Sequence, residues 1–319
     1  MVKSHVLSKK ELPTNTQYKY PRKIRGRFAP TPSGNLHFGS LVCALASYLD
    51  VKSAGGIWII RIDDLDTPRV KDGASEQIIE TLDHYNLISD EPIYYQSDHL
   101  ATYREFLNDL IAKNLTYECE CTRKRIRAIG GIYDNKCRNR KIKNGRTSLR
   151  LKINGQNEVD TFSDGIYGLQ QKKSDSDSRD FIISRKDGIP SYEYSVVIDD
   201  YIQEISHVLR GKDLIFSTFN QLILQKSLDI NAPEYAHIPL VMNPQKRKLS
   251  KSDGALLDKK NFSLNLYLAL NLLGQNPIEE LKSAKVPEII DSAIMNWKRD
   301  NVPSVFNKHV TEFLPKTHG

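Results

Sequence analysis

The sequence predicts an α/β protein: a parallel sheet interrupted by a small inserted α+β subdomain and followed by a short helical C-terminal region. Three observations carry this. Strand-length apolar runs alternate with helix-periodic stretches on both sides of a polar segment. The run Ile57-Trp58-Ile59-Ile60-Arg61-Ile62 is almost continuously apolar, as expected of a strand covered on both faces. Residues 147–169 instead alternate polar and apolar (Leu149, Leu151, Ile153; Val159, Phe162; Ile166, Tyr167, Leu169), the pattern of short antiparallel strands. The expected organisation is a basic N-terminal extension over 1–23, the parallel α/β domain over 24–115 and 181–258, the insertion over 116–180, and helices over 259–319.

Taken in order, the first apolar run, Ile24 to Ala29, leads into Arg27-Phe28-Ala29-Pro30-Thr31-Pro32-Ser33-Gly34-Asn35-Leu36-His37-Phe38-Gly39-Ser40. Two prolines and a glycine impose a tight non-helical turn. A helix then starts near Gly39 and carries Leu41, Ala44, Leu45 and Leu49. Unpaired N–H groups and the positive end of the dipole make such a helix start a phosphate seat. His37 can donate to a phosphate, and Gly39 permits close backbone approach. The Ile57–Ile62 run ends in Asp63-Asp64-Leu65-Asp66, which places carboxylates where ligands bind in open α/β sheets. Helices are predicted over Gly73–Tyr85, on Ile78, Ile79, Leu82 and Tyr85, and over Leu100–Asn114, on Tyr103, Leu107, Leu110 and Ile111.

Beyond the insertion, Gln170–Arg179 reads as a polar loop, and Phe181-Ile182-Ile183 and Ser195-Val196-Val197-Ile198 as strands, the latter followed by Asp199-Asp200. A further strand, Ile205–Leu209, ends in Arg210-Gly211-Lys212-Asp213, a helix covers Phe216–Leu228, and Ile238-Pro239-Leu240-Val241 follows. Lys246-Arg247-Lys248-Leu249-Ser250-Lys251-Ser252-Asp253-Gly254 is a lysine-rich loop able to reach nucleotide phosphates and stabilise charge that builds there. No G-x-x-x-x-G-K-[ST] occurs, which excludes a P-loop NTPase. Two or three amphipathic helices close the chain.

At 319 residues and 39% hydrophobic, 27% charged composition, the chain can bury a full core. It has neither a membrane-length apolar run nor a secretory core in its basic N-terminus, so a cytoplasmic location and no membrane partner are expected. Charge is concentrated: residues 122–152 carry twelve Lys or Arg and one acid, net +11, which leaves −4 for the rest of a chain totalling +7. That asymmetry points to a polyanion, most simply nucleic acid. Cys119, Cys121 and Cys137 lie close together among basic residues, and in a reducing compartment such a cluster favours zinc over a disulfide. Tyr133, Asp134 and His99 are candidates for a fourth ligand.

Arg27 to Gly34 with His37-Phe38-Gly39-Ser40, together with Lys248-Leu249-Ser250-Lys251-Ser252, resemble the two signature motifs of the class I aminoacyl-tRNA synthetases. Arg61-Ile62-Asp63-Asp64-Leu65-Asp66 resembles the glutamyl branch. Within it, Cys119-x-Cys121, Gly130-Gly131-Ile132-Tyr133 and Cys137 look like the glutamyl-Q tRNA(Asp) synthetase family, as does the short run of 67 residues after Ser252, with no large anticodon-binding region. The resemblance spans about residues 24–275.

What the resemblance implies is specific. The fold would be a Rossmann-type catalytic domain with zinc on Cys119, Cys121, Tyr133 and Cys137. The reaction would be tRNA-independent activation of L-glutamate by ATP, with Mg2+, to glutamyl-adenylate. The glutamyl group would then pass to the queuosine base in the anticodon of tRNA(Asp), the enzyme acting as a monomer. Glutamate would meet Arg27, Phe28, Ala29, Pro30, Thr31, Asp63, Tyr192 and Arg210. The two arginines would pair with its carboxylates in an order left open, and Asp63 and Tyr192 would hold its ammonium. ATP would meet His37, Gly39, Ser40 and Lys251, with His37, Lys248 and Lys251 catalytic. Where the family has Glu, this chain has Asp63, which draws the carboxylate back by about 1.5 Å. The alternatives are a truncated glutamyl-tRNA synthetase charging a 3′ end and a non-catalytic RNA-binding paralogue.

Overall fold

A computed structural model describes residues 23–142, 145–172, 179–242, 257 and 261–306. The first half runs β1 (Arg25–Phe28), α1 (Phe38–Lys52), β2 (Ile57–Ile62), α2 (Ala74–His84), β3 (Tyr94–Tyr95), α3 (Leu100–Ala112), β4 (Thr116–Cys119), α4 (Arg123–Ala128) and β5 (Ser148–Leu151). The second runs β6 (Thr161–Asp164), β7 (Gly168–Gln171), β8 (Ile182–Ser184), α5 (Tyr192–Ile202), β9 (His207–Gly211), α6 (Ile215–Leu228), β10 (Glu234–Ile238), α7 (Phe262–Leu272) and α8 (Val286–Asn296).

Seven strands form one sheet in the order β3-β2-β1-β9-β10-β6-β7, parallel throughout except for the β6–β7 hairpin. The chain builds outward from β1 to β2 and β3, then returns on the other side of β1 as β9 and β10. The order therefore reverses at β1, and the carboxyl ends of β1 and β9 part to leave a crevice. The Rossmann-type parallel sheet is thus present. A second, antiparallel sheet contains β4, β5 and β8.

The apolar run of β2 is explained by its two covered faces. Trp58, Ile60 and Ile62 join the core under α1, while Ile59 packs on the opposite face with Val208 and Tyr235. Helix α1 lies so close to β1 that a Cβ on Gly26 would stand 2.4 Å from Val51 Cγ2. Leu266, Ala269 and Leu270 of α7 and Ile289 and Ile290 of α8 extend the same core over α1. No helix of the described residues is long and apolar enough to cross a membrane.

Two expectations need correction. Ser195-Val196-Val197-Ile198 lies in helix α5, not in a strand, and Ser191 caps its start by accepting from Tyr194 N at 3.4 Å. Every residue from Tyr194 to Asp200 is buried, so no polar face marks the helical period. The polar loop expected from Gln170 also begins later. β6 and β7 extend the main sheet, taking Gln170 and Gln171 out of the expected loop, and β8 belongs to the smaller sheet. Such ladders join residues far apart in sequence, which local alternation does not encode.

Candidate active site

The crevice at the order reversal is a cleft of about 280 Å³ walled by the end of β1, the 29–40 turn, the start of α1 and the ends of β9 and β10. A second cleft of about 970 Å³ shares Ala29, Thr31, Tyr192, Asp213 and Leu214 with it and runs toward the small sheet. Arg27, Phe28, Ala29, Pro30, Thr31, His37, Gly39, Ser40, Tyr192 and Arg210 all line the first, and Asp63 the second. Lys248 and Lys251 lie outside the described residues.

At the start of α1, His37 is the extended N-cap, and its Nδ1 accepts from Ser40 N at 3.2 Å. In the neutral ring this leaves the proton on Nε2, which faces Ser40 Oγ at 3.2 Å. A Cβ on Gly39 would come within 3.2 Å of the His37 ring. The glycine therefore makes room for the histidine as well as for a ligand.

Behind the cleft lies a buried charge network. Arg27 donates to both oxygens of Asp200, at 3.0 and 3.3 Å. Arg61 donates from Nε to Asp63 Oδ1 at 3.0 Å and from Nη1 to Asp200 Oδ1 at 2.7 Å. Asp199 accepts from Tyr103, Tyr94 and Gln96. Burial tends to raise Asp200, but Arg27 and Arg61 outweigh it and hold the carboxyl below its ordinary value. At Asp63 burial wins: with Asp199 nearby, and despite Arg61, the carboxyl is pushed up to about 7.

Arg210, 4% exposed, is held differently. Its Nε donates to His237 Nε2 at 3.0 Å, and its Nη2 donates to Thr218 Oγ1 at 2.8 Å and Gln221 Oε1 at 2.7 Å. Its Nη1 is buried without a hydrogen-bond partner among the described residues. Arg27 is thus balanced by a carboxylate of the protein, whereas Arg210 has no ion-pair partner among the described residues and keeps a buried donor unpartnered. An arginine in that state is suited to receive a carboxylate from a ligand.

Facing the larger cleft, β4, the start of α4 and the 133–137 turn bring three thiols together. The Sγ atoms of Cys119, Cys121 and Cys137 lie within 4.8 Å of one another, and all are free thiols. Tyr133 Oη is 3.5 Å from Cys119 Sγ and accepts from Cys137 N at 3.0 Å. Cys121 and Cys137 Sγ are 3.6 Å apart, near the ~3.8 Å between sulfurs on one tetrahedral ion. Burial opposes ionisation of Cys119, yet Arg150 and Tyr133 bring its thiol down to about 7. Desolvation and the Cys137 thiol push Cys121 up to about 11. This group can hold a metal ion. Asp134 is engaged by Arg125, and His99 stacks on Tyr94, 4.0 Å between ring centres.

Sequence reasoning missed Arg61, Asp164, Thr218, Gln221 and His237. A signal existed for the first of them and for its partner Asp200. Arg61 interrupts an apolar strand that must be buried on both faces, and Asp199-Asp200 ends an equally apolar run, so each demands a partner. His237, in β10, carries no comparable mark.

Comparison with known proteins gives the family and the fold. Residues 23–309 match the family described as tRNA synthetases class I (E and Q), catalytic domain. The chain is 42% identical over 291 residues to a glutamyl-Q tRNA(Asp) synthetase of Escherichia coli O157:H7, covering 91% of this chain and 92% of that protein. It is 43% identical over 300 residues to the protein of that name from Colwellia psychrerythraea, covering 90% and 95%. Among solved structures, a glutamate tRNA ligase from Elizabethkingia meningosepticum, crystallised in complex with its amino acid, superposes with a TM-score of 0.77. That match is 24% identical and covers 92% of this chain and 68% of that one.

Proposed function

We propose that this chain, which belongs to the glutamyl-Q tRNA(Asp) synthetase family of class I tRNA ligases, activates L-glutamate with ATP and transfers it to the queuosine base in the anticodon of tRNA(Asp). The observation that carries the reading is the crevice at the β1/β9 reversal, with a phosphate seat at the start of α1 and an arginine with an open donor on the opposite wall. In the first step a carboxylate oxygen of glutamate attacks the α-phosphorus of ATP, and pyrophosphate leaves. In the second a hydroxyl of the modified base attacks the carbonyl of the adenylate, and AMP leaves. Neither step needs a protein nucleophile, so the site works by positioning and by stabilising charge as it develops.

Arg210 takes the side-chain carboxylate of glutamate, because the guanidinium of Arg27 is already paired with Asp200. Asp63 and Tyr192 meet the ammonium, and Phe28 to Thr31 form the floor. His37, Gly39, Ser40, Lys248 and Lys251 serve ATP, which carries Mg2+. Zinc on Cys119, Cys121, Cys137 and Tyr133 braces the small sheet. The thiol spacing and the lowered Cys119 thiol support this donor set. The larger cleft, lined by Arg69, Arg123, Arg179 and Arg185, is the entry for the RNA.

Glutamate-dependent ATP–pyrophosphate exchange without tRNA tests the first step, with other amino acids inactive. Its absence in zinc-replete protein would favour a non-catalytic RNA-binding paralogue. Ribonuclease digestion of tRNA charged with labelled glutamate tests the second. Label in the anticodon fragment is expected, and label on the 3′-terminal adenosine would make the chain a truncated glutamyl-tRNA synthetase instead.

A further inference from the structure

We propose that Asp164 and His237 are positioning residues that orient the guanidinium of Arg210 and thereby set the preference for a substrate with a carboxylate side chain. The proposal rests on the assignment of Arg210 to that carboxylate. His237 is fully buried, with Nδ1 2.5 Å from Asp164 Oδ2 and Nε2 3.0 Å from Arg210 Nε. Arg210 Nε can only donate, so Nε2 must accept, and the ring proton must sit on Nδ1, facing Asp164. The carboxylate thus selects the tautomer, the tautomer presents a lone pair, and the lone pair fixes the plane of the guanidinium. Thr218 and Gln221 hold Nη2 in the same plane, which leaves Nη1 as the donor without a partner.

Asp164 is itself locked. Its Oδ1 accepts from the backbone N–H groups of Ile166 at 3.0 Å, Tyr167 at 2.9 Å and His237 at 3.3 Å, so Oδ2 is the oxygen presented to the imidazole. The strand that carries it, β6, pairs with β10 opposite Tyr235. This gives the β6–β7 hairpin a purpose at the edge of the main sheet: it supplies the carboxylate beneath the specificity arginine.

The lock makes one substitution diagnostic. In Asp164→Asn the three backbone donors keep the amide oxygen at the Oδ1 position and turn the amide nitrogen toward His237. Nδ1 must then accept, the proton moves to Nε2, and two donors oppose each other at Arg210. His237→Phe removes the acceptor, while His237→Gln can restore an oxygen near the Nε2 position. Exchange kinetics should show His237→Phe and Asp164→Asn raising KM for glutamate roughly ten- to a hundredfold, the scale of one charged hydrogen bond. KM for ATP should stay unchanged, discrimination against glutamine should fall, and His237→Gln should recover most of the loss. If His237→Phe does not fold, Asp164→Asn and His237→Gln decide the matter. Wild-type glutamate KM in Asp164→Asn and His237→Phe, alongside a raised KM in Arg210→Met, would overturn the proposal. Equal losses toward glutamate and ATP without rescue by Gln would do so too. An unchanged glutamate KM in Arg210→Met would instead overturn the assignment of Arg210, and the proposal with it.

Discussion

In the proposed ammonium site, Asp63 would couple burial to binding through a single carboxyl. Only 5% exposed, and with Asp199 close by, it ionises near pH 7 even with Arg61 beside it. An ammonium needs the ionised form, and at pH 6 most of the free enzyme carries the neutral acid. KM for glutamate in pyrophosphate exchange is therefore expected to fall by about tenfold between pH 6 and pH 8, in proportion to the ionised fraction. Asp63→Asn should be weaker and flat over that range, and a wild-type profile equally flat would remove Asp63 from the ammonium site. The sign for stability runs the other way. A carboxyl raised on folding contributes stability at low pH, and that contribution is lost as the pH rises through about 7.

At the scale of elements, the cysteine group ties together β4, the segment entering α4 and the 133–137 turn, none of which has much apolar core. Among the described residues its own cluster is Tyr117, Cys119, Tyr133 and Cys137, with Cys121, Ile126 and Ile142 at the margin. A metal there would replace missing hydrophobic burial. Purified protein should contain one zinc per chain, lost in Cys119→Ser. Chelation should increase hydrogen exchange over residues 117–140 and leave β1, β2, β9 and β10 protected. Loss of protection across the main sheet, or full protection of 117–140 without metal, would contradict this.

For the molecule as a whole, the basic block divides into two populations. Arg125 pairs with Asp134, Arg138 with Asp180 and Arg140 with Glu120, while Arg150 is buried and donates to Asp180 O. Arg123, Lys124 and Arg127 stand exposed on α4 and make no ion pair among the described residues. Lys136, Lys141 and Arg146 are likewise exposed without an ion pair among the described residues, and the three on α4 form one group of charges available to RNA phosphates. Replacing the three with Ala should lower the slope of log K for tRNA binding against log salt by about two to three, one released counterion for each lost contact. An unchanged slope would put the RNA on another face.

The amino-acid sequence by itself determined the turn at 27–40, the helix that follows it, the doubly covered strand β2 and the grouping of three cysteines. These depend on short-range sterics, on side-chain periodicity and on residues at most 18 positions apart, and all are written locally. Tertiary structure decided which charged groups are spent and which remain open. Arg27 meets Asp200 across 173 positions of sequence, and His237 meets Asp164 across 73. Those encounters depend on strand order, on a hairpin joining an unexpected sheet edge, and on α5, whose burial on every side erases its helical period. Arg27 and Arg210 look equivalent in sequence. Only the folded chain distinguishes them, because burial forces each guanidinium to find partners, and the partners it finds determine whether its charge is already balanced by a carboxylate of the protein.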